Sequence, residues 1–195
     1  MTESATGREG KRQRTERRIA RCAQLLTEKN GLDGFTMDEL AEVADVSRRT
    51  LFNYYPTKLD AVLGPMPSLT AEARATFVAG GPTGDLLEDL SVIAGVILGT
   101  HDVERDDVDL TKRVVVCNPR LVGAVHERFE DLCQDFADLV VEREGSRIDA
   151  RSARLLIRLL VSVFDAAMTA FVDGADRPLP VLFDENLRTA RTLLA

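Results

Sequence analysis

The chain has 195 residues, 45% of them hydrophobic, with 25 Lys+Arg against 32 Asp+Glu and a net charge of −7. This is enough apolar material for one large or two small cores, and no internal repeat or low-complexity tract is apparent. Three cysteines without metal-ligand spacing and a charged N-terminus argue against a metal site and a secretory leader, and point to reduced thiols in a cytoplasm.

Charge is spread unevenly. Residues 1–60 carry 11 basic and 10 acidic side chains, which leaves 14 basic against 22 acidic for the remainder. Residues 1–13 read as a flexible basic arm. Over residues 8–21, Arg8, Lys11, Arg12, Arg14, Arg17, Arg18 and Arg21 cluster against only Glu9 and Glu16. Such a cluster is drawn to phosphate through counterion release, so Arg14 and Arg18 are candidate DNA contacts. The acidic remainder would repel DNA and orient the molecule. A first helix is expected from about Gln13 to Lys29, with Ile19, Cys22, Ala23 and Leu26 as its buried stripe and Asn30-Gly31 as its end.

Residues 36–58, TMDELAEVADVSRRTLFNYYPTK, are the most informative stretch. Thr36 with Glu39 three residues later is a capping box, so a helix should start at Met37. Leu40, Ala41 and Ala44 give it one apolar face. Asp45 falls at a turn that calls for a left-handed backbone. Val46 fills the corner and Ser47 caps the next helix. Leu51 and Tyr55, four apart, turn inward. Arg48, Arg49, Thr50, Asn53 and Tyr54 are left on or near the outside, where base edges and phosphates can be met. Pro56 stops the helix, and Thr57 with Asp60 caps the following one. The layout is a helix-turn-helix over residues 14–63, whose second helix would enter a major groove.

The run VSRRTLFNYYPTKLDAVL at 46–63 resembles the TetR family of bacterial transcriptional repressors. That resemblance implies phosphate contacts from Thr36, Thr50, Tyr54 and Lys58, with Arg48, Arg49 and Asn53 facing the groove. It also implies a twofold dimer. Two positions depart from the family pattern: Asp45 stands where glycine is customary, and Phe52 where tyrosine is more usual. Phe52 therefore has no hydroxyl to offer a phosphate.

Gly64-Pro65-Met66-Pro67 interrupts the helix that follows Lys58 and reads as a hinge. From Ser68 to Ala195 every segment is helical in pattern: 68–78, 85–98, 103–117 (stopped by Asn118-Pro119), 121–143, 149–172 and 178–194. The expected fold is thus all-α, with the three-helix reader followed by a larger helical domain at 68–195. The 149–172 helix is apolar nearly all round, which requires cover on both sides. Leu159, Val163, Ala166, Ala167 and Ala170, with Phe183, Leu187 and Ala190 of the last helix, are the expected homodimer face. The apolar run from Leu155 to Val172 contains Arg158 and Asp165, which argues against a membrane span.

A small-molecule effector site needs apolar walls with a few placed polar groups. Arg113, Asn118, His126 and Asp165 are the polar candidates, and Phe129, Phe136, Phe164 and Met168 the walls; His126, between Val125 and Glu127-Arg128, reads as surface. Arg113 and Asn118 stand out because they flank the break at Pro119. Taken singly, the four wall residues are more often ordinary core, and Arg113 and Asp165 also suit structural ion pairs. Catalysis and cofactors find no support: Gly80-Gly81-Pro82-Thr83-Gly84 lacks the phosphate-loop spacing, and His101 and His126 form no metal cluster. The sequence therefore reads as a non-enzymatic regulator that binds a palindromic double-stranded operator as a dimer and is released by a small effector. A DNA binder without an effector, or a helical scaffold for an acidic protein, are the alternatives.

Overall fold

The computed structural model describes residues 3–66, 68–99 and 105–194; Pro67 of the expected hinge, and His101, Asp102 and Glu104, lie outside them. Among the described residues the chain is all-α: α1 (Glu3–Asn30), α2 (Met37–Val43), α3 (Arg48–Tyr54), α4 (Lys58–Leu63), α5 (Ala71–Val78), α6 (Leu86–Gly99), α7 (Arg105–Val116), α8 (Pro119–Glu144), α9 (Ala150–Val172) and α10 (Leu179–Leu194).

Local chemistry explains most boundaries. α1 begins at Glu3, ten residues before the expected start, so residues 3–13 of the expected arm are helical. No proline interrupts that stretch. Gly31, at φ 78, ends it, and its N–H donates to the Thr27 carbonyl at 2.8 Å. α8 starts with Pro119 in the first turn, where a missing N–H costs nothing, and the Asn118 side-chain oxygen accepts from the Arg120 N–H at 3.0 Å. Asp149 caps α9 by accepting from the Ser152 N–H at 2.7 Å, which holds its carboxyl below the usual range.

The chain divides into two compact units that do not follow sequence order. Residues 1–66 and 106–126 form the first, and residues 67–105 and 127–195 the second. The single larger domain expected at 68–195 is thus crossed by residues 106–126. Leu110, Val114 and Leu121 of that segment are buried with Ile19, Ala23, Leu40, Leu51 and Tyr55 in one apolar core. Arg21 of α1 pairs with Asp107 of α7, and Gln24 donates to the Val62 carbonyl at 3.0 Å, closing α1 onto α4.

The second unit has two adjoining cores. Phe77, Leu90, Ile93, Cys133, Ala137, Val140 and Ile157 make one. Ala167, Leu179, Leu182, Phe183 and Leu187 make the other, and Leu160 packs against both. α9 is long and apolar enough to cross a membrane by length and composition alone, yet only 11% of its apolar window is buried inside the chain.

Candidate nucleic-acid interface

The outer face of α3 is built from two N-caps and an exposed turn at Asp45. Thr36 accepts from the Glu39 N–H at 3.2 Å while a Glu39 carboxylate oxygen accepts from the Thr36 N–H at 2.7 Å, completing the capping box. Those hydrogen bonds from Thr36 hold the Glu39 carboxyl below its ordinary range. Ser47 accepts from the Thr50 N–H at 3.0 Å and starts α3. Between the two helices Asp45 adopts φ 49, the left-handed turn that the sequence calls for.

Leu51 and Tyr55 are buried, and the Tyr55 hydroxyl donates to the Glu16 carbonyl at 3.3 Å, so α3 is fixed to α1 from beneath. Its opposite side presents Arg48, Arg49, Phe52 and Asn53 to solvent, with Thr50 and Tyr54 half-buried at the edges. Arg48 donates to Asp38 at 3.2 Å and lies 5.6 Å over the Phe52 ring. The Phe52 ring therefore orients an arginine in place of the missing hydroxyl. Arg49 has no hydrogen-bond or ion-pair partner among the described residues, which leaves its five donors available to a ligand.

Other candidates are partly engaged inside the protein. Lys58 donates to the Leu32 carbonyl at 2.9 Å and the Phe35 carbonyl at 2.6 Å, and sits 4.9 Å over the Phe35 ring. Its ammonium ties down the loop after α1, two of its three donors being used there. Arg18 reaches the Asp45 carbonyl at 3.5 Å and its carboxylate at 3.9 Å, bracing the turn. Arg14 is exposed, and the Thr50 hydroxyl shares a hydrogen bond of 2.7 Å with Ser47. The sequence reading missed the Lys58 anchor, for which no local signal exists.

The effector candidates do not gather in one place. Arg113 and Asn118 line a cleft of about 650 Å³ in the first unit, together with Thr27, Glu28 and Leu32. Arg113 there donates to Glu28 at 2.8 Å. Phe129 and Phe136 pack on one core of the second unit, Phe164 and Met168 on the other, and Asp165 is exposed. On the expected dimer face, Leu159 and Ala166 are exposed and Val163, Ala170 and Ala190 half-buried. Ala167, Phe183 and Leu187 are covered by their own chain, because α10 lies on α9 and turns these three into the second core. Leu155, Val181 and Leu193, which the sequence reading passed over, are 59%, 43% and 78% exposed on the same two helices.

A recognition helix capped by Ser47, seated on Leu51 and Tyr55, and carrying free arginine donors defines a helix-turn-helix DNA-binding domain, here joined to a second helical unit. Residues 22–62 match the family model for bacterial regulatory proteins of the tetR family. The chain is 28% identical over 166 residues to the HTH-type transcriptional regulator TcmR of Streptomyces glaucescens, spanning 82% of this chain and 72% of that regulator. It superposes on a TetR-family regulator from Mesorhizobium loti with a TM-score of 0.52, at 18% identity and over 97% and 96% of the two chains. A structure of Thermus thermophilus FadR, a TetR-family repressor in complex with lauroyl-CoA, aligns at 26% identity over 89% and 91% with a TM-score of 0.48. Residues 22–62 are thus similar to the DNA-binding segment of tetR-family regulatory proteins, and the fold is shared with a regulator of that family.

Proposed function

We propose that the chain is a cytoplasmic repressor that binds a palindromic operator as a homodimer and releases it when a small effector binds. The observation that carries the DNA contact is the outer face of α3. Arg49 and Asn53 project from a helix whose other side is buried, and bidentate donors of this kind read base edges in a major groove. Arg48, held over Phe52, enters beside them. Thr36, Thr50, Tyr54, Lys58, Arg14 and Arg18 lie on the flanks and are assigned to the phosphates.

Dimerisation is supported by α9. A long apolar helix left so largely uncovered in one chain needs a partner surface, and a second copy offers the self-complementary one. Leu155, Leu159, Ala166, Val181 and Leu193 are the side chains assigned to it. Twofold symmetry then sets two α3 helices about 34 Å apart, one turn of B-DNA. An effector acts by favouring the population whose α3 spacing no longer matches that repeat.

The test is a salt titration of duplex binding by the full chain. The affinity should fall linearly on a logarithmic scale as salt rises. Salt-independent binding would contradict the assignment.

A further inference from the structure

The cleft at the end of α1 is chemically unlike the rest of the first unit. Its floor is apolar, from Leu32 and Val114, and its rim carries Val116, 75% exposed, beside Lys112 and Arg113. Lys112 has no ion-pair or hydrogen-bond partner among the described residues. Arg113 is held by Glu28 of α1, in a pair whose members are 57% and 41% exposed. Exposed pairs of this kind contribute little to stability and are readily exchanged. A volume of about 650 Å³ suits a ligand of drug size.

We propose that this cleft binds an amphipathic organic anion, its acid group on Lys112 and Arg113 and its apolar body against Leu32, Val114 and Val116. Two helix C-termini, of α1 and α7, border the cleft and carry partial negative charge. They oppose an anion on the floor, which leaves the charged end at the cationic rim and the hydrocarbon inside. A carboxylate there takes Glu28's place on the Arg113 guanidinium, whose fork donates to it bidentately. The exchange frees the α7 end from α1, the helix that carries Tyr55 and α4 on its other contacts. The assignment rests on the reading of the chain as effector-controlled and gives that effector a chemical class and a place.

Cys117 lines the same cleft and is exposed, whereas Cys133 is buried and Cys22 is half-buried. Burial covers the Cys133 thiol and part of Cys22 and pushes both up, so Cys117 is the thiol most open to a reagent in solution. The experiment measures Cys117 alkylation by the neutral reagent iodoacetamide, by mass spectrometry on the full chain without DNA. Sub-micellar decanoate is compared with decyltrimethylammonium, which has the same hydrocarbon and the opposite charge. Decanoate should slow Cys117 alkylation several-fold while the cation does not. The exposed variant Lys112→Ala should raise the half-protecting decanoate concentration about tenfold, the loss of one charge-assisted contact. Equal protection by both amphiphiles, no protection, or an unchanged decanoate response in Lys112→Ala would each overturn the assignment. Since no DNA is present, such a failure leaves the DNA-binding reading untouched.

Discussion

Arg143 donates to the Asp89 carboxylate at 2.5 Å, and both side chains are shut off from solvent. The rest of each group is satisfied as well. Arg143 also donates to the Phe77 carbonyl at 3.2 Å and the Gly81 carbonyl at 3.1 Å, and lies 4.6 Å over the Phe77 ring. Asp89 accepts from the Thr83 N–H and hydroxyl at 2.7 Å each, and from the Gly84 N–H at 3.3 Å. The pair pins the glycine-rich 80–84 turn to α8 and α6. Breaking a buried pair leaves one charge uncompensated, so Arg143→Met should cost about 3–5 kcal/mol. Urea unfolding followed by circular dichroism measures it; a loss within error of zero would show that the pair is not fully desolvated.

The same carboxylate predicts an acid response. Burial raises the Asp89 pKa, but the hydrogen bonds from Thr83, Arg143 and Gly84 outweigh it and hold the group below its ordinary value. A lowered folded pKa contributes stability in full above the unfolded value near 4, and that contribution declines as pH falls toward the folded value. Asp89→Asn should therefore be less stable than wild type at pH 7, with the gap narrowing below about pH 4. Denaturant midpoints at pH 7, 5 and 3 give the comparison. A gap that widened in acid would reverse the sign and contradict the hydrogen-bonding account.

Asp45 holds φ 49 in a turn where glycine carries no steric penalty. Arg18 offsets part of the strain, but at 3.5 and 3.9 Å its contacts are weak. Asp45→Gly should stabilise the first unit by roughly 0.5–1 kcal/mol, the left-handed penalty less the added freedom of the unfolded chain. A lowered thermal midpoint in the variant would mean that the Arg18 contact matters more than the backbone.

Leu155 and Leu159, a turn apart on α9, are 59% and 46% exposed in the single chain. Leu159→Arg should turn a dimer into a monomer in sedimentation equilibrium without loss of helicity, because the change touches no intrachain core. Operator affinity should fall with it. A variant that stays dimeric would place the interface elsewhere.

How much of this was legible in the sequence depends on the range of each contact. The caps at Thr36, Ser47, Thr57 and Asp149 form within three residues and were readable, as were the Asp45 turn and the inward Leu51–Tyr55 pair. Contacts between distant residues were not. Nothing near Lys58 signals that its ammonium reaches back to Leu32 and Phe35, and Arg113 meets a glutamate 85 positions away. Helical spacing grouped Ala167, Phe183 and Leu187 on apolar faces but could not say that each other's helix, rather than a second chain, would cover them. The Asp89–Arg143 pair, 54 residues apart, left no local trace at all.

The most direct measurement is selection of random DNA duplexes by the full chain, repeated with Arg49→Ala and Arg14→Ala. The wild type should recover an inverted repeat with half-sites about one helical turn apart. Arg49→Ala should cost about 1–3 kcal/mol per half-site and relax one base position in each, while Arg14→Ala weakens all duplexes alike and lowers the salt slope by about one. Recovery of no symmetric sequence, or an identical consensus and affinity from Arg49→Ala, would contradict the assignment of the α3 face as the reading surface.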